Sequence, residues 1–300
     1  MKTESAKKEI EKLREKIKKQ NRLYYIEGKP EISDREYDRL YEKLQELEKE
    51  HPEYITEDSP TRRVGGEPLE EFENYTHGDA MLSLDNSYSE EEIREWEERI
   101  SRKAEIKEGF IVEEKLDGIG LSLIYRDGKL HAAATRGDGY TGDNITANIK
   151  PQRAIPLELS GKDLPDSIEI RGEVFIRKSE FEKINQRRKE KGKKIFANPR
   201  NTCAGTLKLL DPRKSSKRKL SAYFYAPGAL EGGNLPDTQQ ELLKTFSSWG
   251  LPVNKGYRIC KDISEIEEAY RDFKEKREEL DYEIDGIVIK VNSLKEQRRL

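Results

Sequence analysis

The chain has 300 residues, of which 39% are charged and 33% hydrophobic. This length exceeds one small domain and suits a large catalytic domain with an appendage, and the sequence contains no apolar run long enough to span a bilayer. Lys and Arg (57) nearly balance Asp and Glu (60), so the net charge of −3 neither indicates nor excludes a nucleic-acid partner.

The positions of the few cysteine and histidine residues show whether the chain can have a zinc site or a disulfide framework. Cys203 and Cys260 lie far apart and outside any CxxC pair, and the histidines are equally scattered. This spacing gives no zinc site and disfavours a disulfide framework. Because the sequence also shows no signal peptide, we expect a reduced, cytoplasmic protein without a membrane partner.

The first fifty residues predict a helical hairpin. Residues 4–27 carry an apolar stripe at helical spacing, made of Ile10, Leu13, Ile17 and Tyr24. After a loop at 28–30, Ser33 and Glu36 have the spacing of a capping box for a second helix, which Pro52 ends. This pattern by itself favours a coiled-coil-like appendage.

Aromatic and acidic residues at the turn of this hairpin favour a binding role instead. The cluster consists of Tyr24, Tyr25, Asp34, Tyr37 and Asp38. Tyrosines and carboxylates gathered at one end of a hairpin can stack on, and hydrogen-bond to, a polar aromatic ligand.

Residues 57–80 are rich in turn-forming residues and predict a linker to the main domain. A short apolar segment at 81–88 follows, and Ser89 with Glu92 caps a predicted helix that ends near Arg102.

The stretch 111–135 predicts a β-hairpin unit of three short strands, IVEEKL, GLSLIY and KLHAAAT, with a tight turn at Asp127-Gly128. Lys115 precedes Asp117-Gly118, where the backbone bends and another group can approach closely. A lone lysine in this setting is most often an ordinary surface residue.

The glycine-rich segment 136–144 (RGDGYTGDN) predicts a turn. It lacks the lysine of a P-loop and does not match the GxGxxG fingerprint. Arg136 at its start is informative, because an arginine between a strand and such a loop suggests an anionic or hydroxyl-rich partner.

The next strand, 167–176, places Glu173 among apolar neighbours. Burying a carboxylate is costly unless it is paired or hydrogen-bonded, so Glu173 belongs either to an edge-strand salt bridge or to a binding site. A helix over about 179–191 follows, and the segment 196–207 has too many turn residues for a plain helix start. The basic runs 187–194 and 211–219 are either solvated faces or phosphate-binding patches.

The last third predicts a strand at 221–228, helices at 238–249 and 264–280, and a buried strand at 282–292. Ser264 and Glu267 have the spacing of a cap for the second helix. The final strand carries Asp285 and Lys290, and a lysine inside an apolar run needs an anionic partner.

Lys115, Arg136, Glu173 and Lys290 together predict one sheet-lined pocket with a lysine nucleophile, two cations and a carboxylate. That combination suits covalent nucleotidyl transfer, in which an amine attacks an α-phosphate while cations and a metal stabilise the phosphoryl charge. Burial and a neighbouring cation such as Lys290 would free the lysine of its proton.

The motifs resemble one family. EEKLDG (113–118) contains the KxDG motif of DNA ligases, RNA ligases and mRNA-capping enzymes. In order after it, ATRGDGYTGDNIT, EIRGEVFI, FANPRNTCAGTL and EIDGIVIKVN resemble only the bacterial NAD+-dependent DNA ligases. PEISDREYDRLYEKLQELEKEHPE and DSPTRRVGG resemble the N-terminal NAD+-recognition segment of that family, and the resemblance runs from about residue 10 to 300.

The resemblance implies an α+β fold, in which a helical hairpin precedes a nucleotidyltransferase (adenylation) domain of the ATP-grasp-like, antiparallel-sheet type. The implied domains are 1–70 for recognition of NAD+ through its nicotinamide mononucleotide (NMN) half, and 71–300 for adenylation.

The resemblance also implies roles for individual residues. Lys115 is the implied adenylated lysine, and Asp117 and Asp285 would organise Mg2+ through water. The implied AMP site contains Glu113, Arg136, Glu173, Lys290 and Tyr225, with Arg136 and Glu173 toward the ribose and Tyr225 stacked on adenine. Ser83 and Leu84 match the segment at the NAD+ end of the pocket.

Two further groups of residues match family positions. The positions that grip NMN correspond to Tyr24, Tyr25, Asp34, Tyr37 and Asp38. Those expected near phosphates of nicked DNA or of the leaving group correspond to Arg200, Lys208 and Arg277.

The sequence departs from the family pattern at a few positions. Tyr25 stands where several members have histidine, and Ala80 replaces a usual proline. Lys208 stands where arginine is common, which loses bidentate phosphate contact. Asp143-Asn144 replaces a usual Glu-Asp pair.

The implied activity is formation of lysyl-AMP from NAD+ with release of NMN, the first step of sealing nicks in duplex DNA. It implies NAD+ and Mg2+ as cofactors, nicked duplex DNA as the partner of the full-length enzyme, and a monomer. Family members continue beyond this sequence with a motif V lysine, an OB-fold and further domains. We therefore expect NAD+ binding, poor nick sealing and impaired self-adenylation.

Two alternatives remain at this point. One is an ATP- or GTP-dependent RNA ligase or capping-type nucleotidyltransferase, against which the tyrosine and aspartate hairpin argues. The other is a catalytically silent nucleic-acid-binding module built on the basic runs, which would have no use for a nucleophile.

Overall fold

A computed structural model describes residues 2–24, 29, 31–56, 58–63 and 69–300, with the side chains of 2–4, 34, 62 and 63 left out. Tyr25 therefore lies outside the described residues, and of Asp34 only the backbone is described. Within the described part, no helix is both long and apolar enough to cross a membrane.

The N-terminal hairpin consists of α1 (Lys2–Arg22) and α2 (Asp34–Glu50), as the apolar periodicity predicts. Leu23 and Tyr24 continue this helix in π-helical form, and residues 25–28 lie outside the described residues, so its predicted end near residue 27 stays a prediction. The predicted capping box is confirmed, because Ser33 Oγ accepts from the Glu36 backbone N–H and the Glu36 carboxylate accepts from the Ser33 N–H. The two helices bury one cluster, which contains Ile10, Leu13, Ile17, Tyr37 and Leu44.

A buried ion pair between the two helices of this hairpin, Arg14–Glu48, is also hydrogen-bonded to the chain that follows. Arg14 Nε donates to Glu48 Oε1 at 2.9 Å, and Arg14 Nη2 donates to the Tyr54 carbonyl at 2.7 Å. Ser59 Oγ also donates to Glu48 Oε1, at 2.7 Å. The predicted linker thus begins with residues that pack on the hairpin.

The rest of the chain alternates short helices with antiparallel strands. Its elements in order are β1 (Asn74–Thr76), α3 (Glu90–Ser101), β2 (Phe110–Leu116), β3 (Ile119–Arg126), β4 (Lys129–Thr135), β5 (Thr141–Asp143), α4 (Thr146–Ile149), β6 (Ser167–Phe175), α5 (Lys178–Glu190), α6 (Pro199–Leu207), α7 (Pro212–Ser215), β7 (Ser221–Glu231), α8 (Gln239–Ser248), β8 (Arg258–Cys260), α9 (Ile263–Lys276), β9 (Ile284–Val291) and α10 (Leu294–Gln297).

Two larger sheets form the body of this domain. Their strand orders are β4-β3-β6-β7 and β8-β2-β9, and β1 pairs with β5 in a small separate ladder. The α+β class with antiparallel sheets is confirmed. β1 lies inside the segment that we predicted to be a linker, so that prediction extended too far.

The predicted three-strand unit is divided between the two sheets. β3 and β4 do form a hairpin, and its turn residues Asp127 (φ 49°) and Gly128 (φ 72°) have the positive φ values of a type I′ turn. β2, however, pairs with β8 and β9 and not with β3. The pocket is accordingly lined by two sheets, not by one.

Gly118 lies where the chain passes from one sheet to the other. A Cβ at this position would lie 2.4 Å from the Val174 carbonyl oxygen of β6, which is closer than any side chain tolerates. Only glycine lets β2 run into β3 at this distance from β6.

β2 is buried on both faces at its start. Ile111 belongs to the large core with the four-stranded sheet, and Phe110 and Val112 belong to a smaller core with α3 and α9. Because side chains alternate along a strand, Glu113 and Lys115 continue the face of Ile111, toward the seam between the sheets.

Two predictions about helix starts were wrong. Residues 196–207 do begin a helix, because Asn198 caps α6 through the Asn201 N–H and Pro199 occupies the first turn, where its missing N–H costs nothing. The cap of α9 is Asp262, which accepts from the Glu265 N–H, so Ser264 does not cap that helix.

Candidate active site

A cavity of about 1320 Å³ opens along the seam between the two larger sheets. Its walls come from β2, β3, β6, β7 and β9, together with the segment 81–86 and one face of α6. Most predicted site residues line it: Ser83, Leu84, Glu113, Lys115, Arg136, Glu173, Arg200, Lys208, Tyr225, Asp285 and Lys290.

Lys115 lies near the end of β2, opposite Gly286 of β9. Its ammonium group is ion-paired with the carboxylate of Asp285, and its side chain is 37% exposed. We had expected burial and a neighbouring Lys290 instead. An ion pair and partial exposure, rather than burial, define the surroundings of the Lys115 amine.

Lys290 is paired with Glu113. The two are diagonal neighbours across β2 and β9, and Lys290 Nζ lies 2.7 Å from Glu113 Oε1. The ammonium also lies 5.1 Å from the centroid of the Tyr225 ring. The predicted requirement for an anionic partner is therefore met by Glu113, and a cation faces the ring of Tyr225.

Gln239 also contacts Glu113 and Tyr225, although the sequence provided no reason to assign it a role. Its Nε2 donates to Glu113 Oε1 at 3.0 Å and to the Tyr225 carbonyl at 2.6 Å. Gln239 thereby fixes Glu113 and the strand of Tyr225 relative to each other. A polar residue at the start of an amphipathic helix carries no pattern that distinguishes it from a surface residue.

Glu173, on β6, is the most strongly perturbed carboxyl group of the cavity. Burial raises its pKa to about 7, although the positive charges of Arg200 and Arg136 act in the opposite direction. The group therefore titrates near neutral pH, so that it can accept or donate a hydrogen bond.

The hydroxyl of Tyr225 stays protonated for a related reason. Burial raises its pKa, and the negative charges of Glu173 and Glu113 raise it further. A protonated phenol next to carboxylates is held as a hydrogen-bond donor.

Arg200 and Lys208 face the cavity from the two ends of α6. Arg200 Nη1 lies 2.8 Å from Asp117 Oδ1, and Lys208 Nζ lies 2.8 Å from Asp143 Oδ2. Lys208 and Asp143 are both positions where the sequence departs from the family pattern, and they contact each other. Asp117 is thus held at the seam by Arg200.

Arg171 supports the segment that carries Ser83 and Leu84. Its guanidinium donates to the carbonyls of Ala80 at 2.9 Å and of Asp79 at 2.6 Å. Sequence reasoning missed Arg171, although a charged residue inside an apolar strand is the same signal that singled out Glu173 in EIRGEVFI.

The hairpin residues lie apart from this cavity. Tyr37 and Asp38 contact Arg153, which follows α4: the guanidinium carbon is 4.3 Å from the Tyr37 ring centroid, and Nη2 is 3.4 Å from Asp38 Oδ1. Tyr24 is exposed. Arg277 is an exposed residue of the turn after α9 and does not line the cavity.

The described residues contain no group of three or more His, Cys, Asp or Glu side chains able to hold a metal ion. Asp285 lines the cavity and is paired with Lys115, whereas Asp117 does not line it and is paired with Arg200. Mg2+ is typically bound through one or two carboxylates and substrate phosphates, with water completing its shell, and this donor set suits that mode.

Comparison with protein families gives two matches that together span most of the chain. Residues 69–300 match the family described as NAD-dependent DNA ligase adenylation domain. Residues 3–65 match the family described as DNA ligase-like, N-terminal NAD+-binding domain. Both matches support the main prediction over the ATP- or GTP-dependent enzyme and over the silent binding module.

Proposed function

Since the chain belongs to the NAD-dependent DNA ligases, with their adenylation and NAD+-binding domains, we propose that Lys115 is the residue that accepts AMP. The observation that carries this is the convergence of Lys115 with Glu113, Glu173, Tyr225 and Lys290 in one cavity. A lysine amine among groups suited to hold a nucleoside is what covalent nucleotidyl transfer requires.

In the proposed step, the amine nitrogen of Lys115 attacks the adenylyl phosphorus of NAD+. A nitrogen–phosphorus bond forms, the phosphorus–oxygen bond to NMN breaks, and NMN leaves with the electron pair of that oxygen. Asp285, which contacts the ammonium, takes the proton and passes it to solvent. Cationic side chains of the cavity stabilise the charge on the phosphoryl oxygens.

The nucleoside is proposed to lie against β6, β7 and β9. Adenine stacks on the ring of Tyr225, and Lys290 with Glu113 forms the polar rim beside it. Glu173 and Arg136 bind the ribose hydroxyls. Because the pKa of Glu173 is raised to about 7, its carboxyl can donate to or accept from a hydroxyl near neutral pH.

Asp117 and Asp285 would hold Mg2+ through water, together with the pyrophosphate of NAD+. On binding, such an ion supplies charge stabilisation for the phosphates. The proposed roles of Lys115 and of the nucleoside pocket do not require a metal site formed by protein ligands alone.

The remaining assignments concern the rest of the substrates. Ser83 and Leu84 border the NAD+ end of the cavity, and Arg200, Lys208 and Arg277 meet phosphates of the nicked duplex or of NMN. The hairpin binds the nicotinamide mononucleotide half through Tyr24, Tyr25, Asp34, Tyr37 and Asp38. We place the domain boundary near residue 70 and propose a cytoplasmic monomer.

Intact-mass measurement after incubation with NAD+ and Mg2+ tests the central assignment. We expect the protein to gain the mass of one AMP, Lys115→Ala to abolish the gain, and Lys107→Ala, an exposed lysine outside the cavity, to keep it. An adduct that persists in Lys115→Ala, or that forms with ATP but not with NAD+, contradicts the proposal.

A further inference from the structure

Arg153 covers Tyr37 and Asp38, two of the hairpin side chains that we propose to bind the nicotinamide half of NAD+. Its guanidinium carbon lies 4.3 Å from the centroid of the Tyr37 ring, and Nη2 lies 3.4 Å from Asp38 Oδ1. A second aromatic ring, that of Tyr41, lies 5.9 Å from the same carbon. One planar cation is therefore held against an aromatic face with a carboxylate beside it.

The nicotinamide ring of NAD+ has the same chemistry. It is a planar, positively charged aromatic ring, so it is recognised by an aromatic face and a nearby negative charge. The arginine guanidinium is likewise planar, delocalised and always charged, and it stacks on aromatic faces. Tyr37 is 8% exposed and otherwise packed in the core of the hairpin, so Arg153 covers the part of its ring that a nicotinamide ring would need.

A second contact holds the hairpin against the same part of the main domain. Lys18 of α1 lies 2.6 Å from Glu158, five residues after Arg153, and 3.3 Å from Asp58 of the segment packed on the hairpin. With the hairpin docked on 153–158, Tyr37 and Asp38 do not border the cavity of Lys115. The nucleoside pocket and the proposed nicotinamide residues are separated in this pose.

We propose that Arg153 is an internal competitor of nicotinamide: it occupies Tyr37 and Asp38 and keeps the hairpin away from the cavity until NAD+ displaces it. This rests on the proposed function, in which Tyr37 and Asp38 bind the nicotinamide half. Arg153 thereby sets the apparent affinity for NAD+, because affinity falls in proportion to the fraction of molecules in the competent pose. It also favours a ligand whose cationic aromatic ring can replace the guanidinium over one that carries only adenosine phosphates.

Equilibrium titration of the full chain with NAD+ and with NMN tests the proposal without requiring turnover. Arg153→Met keeps an unbranched apolar stem but removes the guanidinium and its charge. It is expected to tighten binding of both ligands about three- to tenfold, the range given by an exposed cation–π contact and an exposed ion pair. Binding of AMP, which uses only the cavity, should stay unchanged. Arg153→Lys retains a cation without the planar fork and should give an intermediate value.

The matched control is Arg102→Met, which removes an exposed arginine paired with Glu98 on α3 and should leave all three affinities unchanged. A gain in affinity cannot result from damage to the fold, so the expected result is specific. Unchanged or weaker NAD+ binding by Arg153→Met overturns the competitor role.

A double variant separates failure of this inference from failure of the proposed function. In the Arg153→Met background, Asp38→Asn reports only on the contact between Asp38 and the ligand. Suppose that Asp38→Asn weakens NMN binding but that Arg153→Met alone does not increase the affinity for NAD+ or NMN. Asp38 then does bind nicotinamide, and the competitor role of Arg153 is wrong. If Asp38→Asn changes nothing, the nicotinamide role of Asp38 is wrong, and the inference fails with it.

Discussion

Replacing Glu173 with glutamine should change how the stability of the protein depends on pH. Burial raises the pKa of this carboxyl from 4.5 to about 7. Between these two values the folded protein keeps a proton that the unfolded chain has released. The free energy of unfolding contributed by Glu173 is therefore complete below pH 4.5 and is lost as the pH rises toward 7.

The size of the effect follows from the shift. A change of one pKa unit corresponds to about 1.4 kcal/mol, so the full shift from 4.5 to about 7 gives an upper limit of about 3 kcal/mol. Glu173 lines an open cavity where water screens part of the penalty, so we expect about 2 kcal/mol.

Urea unfolding of the parent protein and of Glu173→Gln at pH 4.5 and pH 8 measures this difference. Relative to the parent, the glutamine variant should become about 2 kcal/mol more stable on going from the lower to the higher pH. Glu105→Gln, at an exposed position, serves as the matched control and should show no such change. A difference between parent and Glu173→Gln that is the same at both pH values would refute the reasoning.

Three substitutions test the packing beside the cavity and within the N-terminal helical hairpin. Gly118→Ala places a Cβ 2.4 Å from the Val174 carbonyl, so we expect a loss of about 1–3 kcal/mol in urea unfolding together with a weakened AMP adduct in intact-mass spectra. Arg14→Met leaves Glu48 buried without its cation and should cost about 3–5 kcal/mol, measured by chemical denaturation followed by circular dichroism. Leu44→Ala empties a fully buried site of the hairpin core and should cost about 2–5 kcal/mol in the same assay; a loss below 1 kcal/mol would show that the two helices do not pack as described.

Local chemistry made several features predictable. The helices of the hairpin, the capping box at Ser33 and the turn at Asp127-Gly128 each depend on residues a few positions apart, so the sequence contains all the information that they need. The failures at Asn198 and Asp262 were also local. There the turn residues and a neighbouring serine masked the true caps.

Pairing between strands was not predictable in the same way. β2 and β3 are adjacent in sequence, yet they belong to different sheets, and β2 pairs with β9 about 170 positions later. Strand partners are selected by which faces can be buried together, and that depends on the whole chain. The pairing of β2 with β9 brings Lys115 into contact with Asp285, and Glu113 into contact with Lys290.

The sequence by itself therefore pointed to the family and to the residues that we propose for the chemistry, because covalent nucleotidyl transfer demands a lysine, carboxylates and cations in recognisable motifs. Only the tertiary structure determined the pKa values of these residues and the side chains with which they interact. Burial at the seam between two sheets moves the pKa of Glu173 to about 7, and long-range contacts place Arg153 on Tyr37 and Asp38. Electrostatic environment depends on distances between groups that are remote in the chain, and no local pattern encodes those distances.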